Sequence, residues 1–285
     1  VHREPLLMTR RLISLAILIG FLPLTGCGQK LDPLVSITAA QIQTVADFTK
    51  QVSTDRLRNT LTTHFSTIRY TRDQREAARN NIEAALSSLN YAFSSSEVMS
   101  GGVVIGNNLV VTKTGALAPK EKIILMAHYD SVAEGPGTDD NGSSCAALME
   151  IARILSDRTF ERTIQFVFTD REEAGLEGGY AFAATLQPDD KVIIVVNLDM
   201  IGYTSPQQKN PFPSPVKVDQ GDFIGVFSNL ASFNAANDFM RNIKRAAIPL
   251  PAIGIRASTN DDFSYVFAHL TRSDHEAFWL KGIPA

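Results

Sequence analysis

The stretch Leu125–Asn141, LMAHYDSVAEGPGTDDN, closes a short apolar run with His-x-Asp and delivers an Asp-Asp pair soon after. Lys122–Ala127 is apolar and bounded by charge, the pattern of a strand buried on both faces of a parallel sheet. His128 and Asp130 are two residues apart, so on a continuing strand they point the same way. Asp130 can then orient the His128 imidazole or share its ligand field, as when a carboxylate fixes the tautomer of a metal-bound histidine.

Outward from this stretch the chain repeats strand, loop and helix. Strands are expected at Lys122–Ala127, Thr163–Thr169 and Val192–Leu198, with helices at Ser143–Leu155 and Leu176–Leu186 between them. The alternation predicts an α/β fold, three layers of helix, sheet and helix around a mostly parallel central sheet. Such sheets bind ligands beyond the carboxyl ends of their strands. His128 and Asp130 follow the first strand, Glu172 and Glu173 the second, and Asp199 the third.

Upstream, Ser36–Leu61 has helical spacing of apolar residues, and Thr71 with Gln74 opens a helix running to about Leu89 in the manner of a capping box. Glu97–Thr114 reads as two antiparallel outer strands turning at Gly106-Asn107-Asn108. Downstream, the Pro-rich Tyr203–Gly221 is expected to be a surface loop overhanging the ligand end of the sheet. A strand at Asp222–Phe227, a helix at Ala231–Ala247, a strand at Pro251–Ile255 and a short helix after Arg272-Ser273-Asp274-His275 complete the pattern.

The 285 residues, 44% hydrophobic and 20% charged, suit one ordinary globular domain. A net charge of −3 without a sustained basic run offers no electrostatic footprint for nucleic acid. The chain is read as a monomer with no nucleic-acid partner.

Three successive strand ends therefore supply carboxylates and one imidazole, and His275 adds a second. Zinc favours such nitrogen and oxygen donors, and two zinc ions can share a bridging carboxylate and a bridging water. His128, one of Asp139 and Asp140, Glu173, Asp199 and His275 are too many ligands for one catalytic zinc and natural for two. Any one cluster alone is an ordinary turn, helix cap or hydrogen-bonded pair. Four of them at successive element ends point to a site. His2, His64 and His269 have no such context.

His128-Tyr-Asp130-Ser131, Gly137-Thr-Asp-Asp140-Asn141-Gly142, Glu172-Glu173-Ala174-Gly175-Leu176, Asn197-Leu-Asp199-Met200-Ile201-Gly202 and Ser273-Asp274-His275 together resemble the five motifs of the zinc aminopeptidases of peptidase family M28. The resemblance covers roughly Leu34–Ala285. It implies that His128 and Asp199 hold one zinc, that Glu173 and His275 hold a second, and that Asp140, the Asp directly before Asn-Gly, bridges the two. It further implies Glu172 as general base and Asp130 as the partner of His128 in catalysis. The implied function is hydrolysis of N-terminal residues from peptides by a zinc-bridged hydroxide. Related members act as carboxypeptidases or dipeptidases, and glutaminyl cyclases share the fold with one zinc. A ligand-losing relative can persist as a binding ectodomain. The full ligand set with Glu172 favours the aminopeptidase.

The ends of the chain carry two further expectations. Arg10 and Arg11, the apolar run Leu12–Leu24 and Thr25-Gly26-Cys27 resemble a bacterial lipoprotein signal, with translation from about Met8. Residues 1–27 are then signal and preceding residues, 28–34 a tether and 35–285 the peptidase domain, exported and anchored to a membrane through a lipidated Cys27. Of the two cysteines only Cys145 then remains, which excludes a disulfide framework and leaves Cys145 as a buried thiol. Gly282-Ile283-Pro284-Ala285 reads as the entry to a final strand and helix that family members carry and this sequence does not.

Overall fold

A computed structural model describes residues 39–205, 223–245, 251–256 and 270–285. The lipoprotein signal, the tether and most of the Pro-rich loop lie outside the described residues. No described helix is long and apolar enough to cross a membrane.

The described elements are α1 (Ala39–Thr49), α2 (Thr54–His64), α3 (Arg72–Leu86), β1 (Ala92–Ser100), β2 (Val103–Lys113), β3 (Ala118–His128), α4 (Gly142–Leu155), β4 (Arg162–Thr169), α5 (Glu177–Thr185), β5 (Lys191–Asn197), β6 (Ile224–Ser228), α6 (Phe233–Arg245), β7 (Ala252–Arg256) and α7 (Glu276–Trp279). Five strands form one sheet in the order β1-β2-β4-β3-β5, and β6 pairs with β7 in a second. β3 runs parallel to both β4 and β5, while β1 and β2 are the antiparallel outer strands.

β3 shows why the sheet is covered on both sides. Ile123, Leu125 and Ala127 pack with α4 and the N-terminal helices, whereas Ile124 and Met126 pack with Phe182 of α5 and Phe278 of α7. An alternation of side chains with apolar residues in both phases requires a helical layer on each face. From β3 the chain passes through α4 to β4 on one flank, then through α5 to β5 on the other. The carboxyl end of β3 is thus the point where strand order reverses, the usual location of a ligand crevice in an open α/β sheet.

Two local expectations are corrected. The β1–β2 hairpin turns at Gly101-Gly102, with φ of +56° and +79°, and Ser100 pairs directly with Val103. A two-residue turn with both φ positive matches strand twist and is free of strain for glycine. Gly106, Asn107 and Asn108 lie inside β2 instead. A Cβ on Gly106 would sit 2.4 Å from the Asp170 carboxylate, so this glycine makes room for the start of the β4 loop.

The helix expected over Ser36–Leu61 is two helices, α1 and α2. Ser53 interrupts it as N-cap of α2, its hydroxyl accepting from Arg56 N, while its own N–H donates to the buried Glu150 at 2.9 Å. Capping of the second helix overrides continuous apolar spacing here. The Thr71–Gln74 capping box is present at the start of α3. The last residues run beside β5, where Val195 N donates to Pro284 O at 2.8 Å.

Candidate metal centre

His128 is the last residue of β3 and is 1% exposed. Tyr129 N still donates to Thr169 O, so the strand geometry carries Asp130 onto the same side as His128. Nδ1 of His128 lies 3.3 Å from Asp130 Oδ1. Its Nε2 faces the crevice, 3.2 Å from Asp140 Oδ1, 3.8 Å from Glu172 Oε2 and 4.0 Å from Asp199 Oδ1. One ligand atom each from His128, Glu172 and Asp199 fall within 4.8 Å of one another, the spacing of donors around a metal ion.

Asp130 does more than orient an imidazole. Oδ1 accepts the Glu172 N–H at 3.1 Å and Oδ2 accepts the Glu173 N–H at 3.2 Å. One buried carboxylate therefore connects the end of β3 to the turn after β4 that carries both glutamates. On the other side, Asn141 joins the Asp140 turn to the Asp199 turn: its Nδ2 donates to Leu198 O at 2.9 Å and its Oδ1 accepts from Met200 N at 3.3 Å. Ser143 Oγ accepts from Ile201 N and Asp139 Oδ1 accepts from Gly202 N at 2.8 Å. Asp139 is thereby committed to the backbone of the neighbouring loop, and Asp140 is the member of the pair that reaches His128. Geometry separates what spacing alone left equal.

The electrostatics follow from acids gathered in a poorly solvated crevice. Burial, with neighbouring carboxylates, pushes the Glu172 carboxyl up to about 9, while Glu173, exposed at the mouth of the crevice, is pushed up to about 7 by partial desolvation and by Asp140. Asp199 is raised in the same way, again chiefly by burial. Burial pulls His128 down, but the Asp130 and Asp140 carboxylates on either side of the ring win and the imidazole binds its proton well above its usual range. Protons thus take the place of positive charge among these side chains. A cation would relieve the same repulsion, so the donor set suits a metal of zinc type.

Asp140, Glu172, Glu173, Asp199 and His275 line one cavity of about 650 Å³. Glu173 and His275 are not members of the tight group around His128. His275 Nε2 is 2.6 Å from Leu270 O, and Nδ1 is 3.5 Å from Asn197 Nδ2. Burial depresses the His275 imidazole to about 4, so the ring is neutral near pH 7. Asp274 ties this segment to the sheet, accepting from Thr169 Oγ1 and from Gly179 N. Cys145 is a buried thiol pushed by burial up to about 12, with Sγ 3.1 Å from the His128 carbonyl oxygen, in keeping with an inert role.

Sequence reasoning assigned no role to Asn141, although it stands in the quoted Asp-Asp-Asn-Gly motif, and none to Arg69. Asn141 was readable in principle as an Asx side chain in a turn. Arg69 had no local signal: its partners are main-chain carbonyls about 60 residues or more downstream, apart from Thr67.

Residues 108–285 match the model of Peptidase family M28. The probable lipoprotein aminopeptidase LpqL of Mycobacterium tuberculosis is 36% identical over 182 residues, 63% of this chain and 33% of that protein. The crystal structure of the LapA aminopeptidase of Legionella pneumophila superposes with a TM-score of 0.66 at 20% identity, over 92% of this chain and 65% of that one. The glutaminyl cyclase of Macrostomum lignano does so with a TM-score of 0.60 at 17% identity, over 91% and 85%, so the fold alone is shared by both activities. The chain spans 53% or less of the length of the first curated relatives it matches. With more than half of its residues matched, and with motif residues of that match converging at the carboxyl ends of β3, β4 and β5, the chain belongs to peptidase family M28.

Proposed function

We propose that this protein is a zinc exopeptidase that releases N-terminal residues from peptides. The observation that carries the reading is the convergence of Asp140, Glu172 and Asp199 on Nε2 of His128, three carboxylates within 4.0 Å of one imidazole nitrogen. In this reading His128, Asp140 and Asp199 would hold one zinc, and Glu173 and His275, with Asp140, would hold a second. Zinc, when bound, would lower the pKa of a coordinated water to near neutrality and polarise the scissile carbonyl.

The side chains of the chain itself do the rest. Asp130 keeps His128 in the tautomer that offers Nε2 to the cation. Glu172 is buried beside that nitrogen and takes the proton of the attacking water, then passes it to the departing amine. Its carboxyl, held near 9 in the absence of a cation, falls once positive charge enters the site and can then act as a base. A free substrate α-ammonium would sit near Asp199 or Glu172 at the cavity wall, which would explain an exopeptidase register.

LpqL is described as a probable lipoprotein aminopeptidase, and the Thr25-Gly26-Cys27 stretch supports a lipid-anchored, exported form of this protein as well. Metal analysis with an amino-acyl anilide panel tests the function. Two zinc ions per chain, with chelator-sensitive cleavage of unblocked anilides only, is the expected result. One zinc with cyclisation of N-terminal glutamine favours the cyclase, and cleavage of blocked substrates removes the aminopeptidase assignment.

A further inference from the structure

Arg69 is 1% exposed, yet no carboxylate of the described residues lies within ion-pairing distance of its guanidinium. Its donors go to backbone. Nε donates to Tyr129 O at 2.5 Å, Nη1 to Pro136 O at 2.5 Å and Thr67 O at 3.0 Å, and Nη2 to Gly137 O at 2.9 Å. The guanidinium carbon sits 5.1 Å from the centre of the Phe65 ring. Burying a permanent charge without a directly paired carboxylate is costly, and here carbonyl dipoles and an aromatic face take up the guanidinium's donors and surface while Asp130 and Asp140 attract it from beyond ion-pairing distance.

Where those carbonyls lie gives the arrangement a use. Tyr129 separates His128 from Asp130, and Pro136-Gly137 begins the turn that presents Asp140. Arg69 grips both ends of the loop between them. The main chains add a second latch, since Arg69 N donates to Ser131 Oγ at 2.9 Å and Ser131 N donates to Arg69 O at 3.2 Å. Gly137 O also accepts from Gly142 N, so the gripped carbonyl closes the turn around Asp140. The loop is packed hard onto the clamp: a Cβ on Gly137, whose φ is +57°, would meet Asp140 O at 2.2 Å, Ser131 Cβ at 2.7 Å and Arg69 Nη2 at 3.1 Å.

We propose that Arg69 is a positioning residue of the metal centre, its guanidinium holding the 129–137 loop in the shape that brings His128 and Asp140 to one cation. The inference rests on the metal-centre reading above. A guanidinium is needed because its planar fork reaches carbonyls at both ends of the loop at once, which a lysine ammonium cannot do.

The test compares the parent chain with Arg69→Lys, Arg69→Gln and Ser131→Ala. Zinc affinity is measured by competition with a fluorescent chelator, counted per folded chain, alongside melting of the chelated proteins and kcat and KM at saturating zinc. The Arg69 variants are expected to bind zinc about 10- to 100-fold more weakly, the usual effect of losing an orienting partner, and to lose kcat more than KM. Ser131→Ala, which removes the Oγ bond to Arg69 N but keeps the Ser131 N–H bond and the fork, should shift affinity in the same direction by a smaller factor. Lower melting temperatures with unchanged zinc affinity in the folded variants would make Arg69 merely structural and overturn the proposal. If neither Arg69 variant folds in plain buffer, parent and variants are compared in a stabilising osmolyte, and parent-like zinc affinity of the refolded Arg69 variants overturns it. A parent chain that binds no zinc would instead remove the metal-centre reading itself.

Discussion

Asp130 Oδ1 lies 3.3 Å from His128 Nδ1 and, from the same position, accepts the N–H that begins the Glu172–Glu173 pair. A single carboxylate thus lies against the imidazole and fixes the placement of the two glutamates. Asp130→Asn keeps the shape but can present only one acceptor oxygen, so one of the glutamate amides or the imidazole loses its partner. Zinc affinity and kcat are each expected to fall by about 10- to 100-fold. Isothermal titration with zinc and steady-state kinetics check this; parent-like values in both would show Asp130 to be a bystander.

Glu172 is 8% exposed and its Oε2 stands 3.8 Å from Nε2 of His128. Glu172→Gln retains the volume and removes the proton acceptor. Turnover should drop by about 10²- to 10⁴-fold while bound zinc per chain is unchanged. If metal content falls together with activity, Glu172 is a ligand, which the tight grouping of His128, Glu172 and Asp199 would accommodate.

Asn141 is fully buried, and its side-chain amide bonds the backbone on either side of Asp199. Asn141→Ala leaves Leu198 O and Met200 N without that partner, at a cost of about 1–3 kcal/mol for buried polar groups left unsatisfied. A lowered melting temperature and weaker zinc binding are expected in thermal denaturation and metal titration. Asn141→Asp should be worse, because a carboxylate would face the Leu198 carbonyl where an N–H now donates.

The acids of the crevice set a pH dependence with a definite sign. Glu172 and Glu173 titrate near 9 and 7 in the metal-free fold against 4.5 ordinarily, and His128 holds its proton above 6.5. The native metal-free chain therefore binds more protons than the unfolded chain between about pH 4.5 and 9, and this contribution to stability declines as pH rises. Zinc competes with the same protons, so its stabilising effect grows over that range. Melting curves from pH 5 to 8, with zinc and with chelator, should diverge as pH increases. Parallel curves would mean that these carboxyls are not where the metal binds.

Much of this was legible because it is local. Lys122–Ala127 showed its double burial in six residues, and the Thr71–Gln74 capping box marked a helix start that the structure reproduces. Motifs at strand ends named the crevice, since a parallel sheet sends every such end to one side. What was hidden depended on distant parts of the chain. The hairpin was misplaced because Gly106 and Gly101-Gly102 look alike as letters, and only the Asp170 carboxylate beside Gly106 tells them apart. Asp139 and Asp140 are chemically identical, and the Gly202 N–H that occupies Asp139 lies 63 residues away. Arg69 is harder still, because backbone carbonyls carry no side-chain identity for a sequence reader to match.

Asp139, Asn141 and Ser143 each bond the 198–202 backbone while Asp140 between them reaches His128, and this has an evolutionary corollary. Deleting or adding one residue between Gly137 and Gly142 would move Asp139 and Asp140 relative to Asn141 and Ser143, so that the four bonds to the 198–202 backbone and the approach to His128 could not be kept together. Length in this segment is consequently a harder constraint on drift than composition, and descendants that tolerate substitutions there should still preserve its spacing.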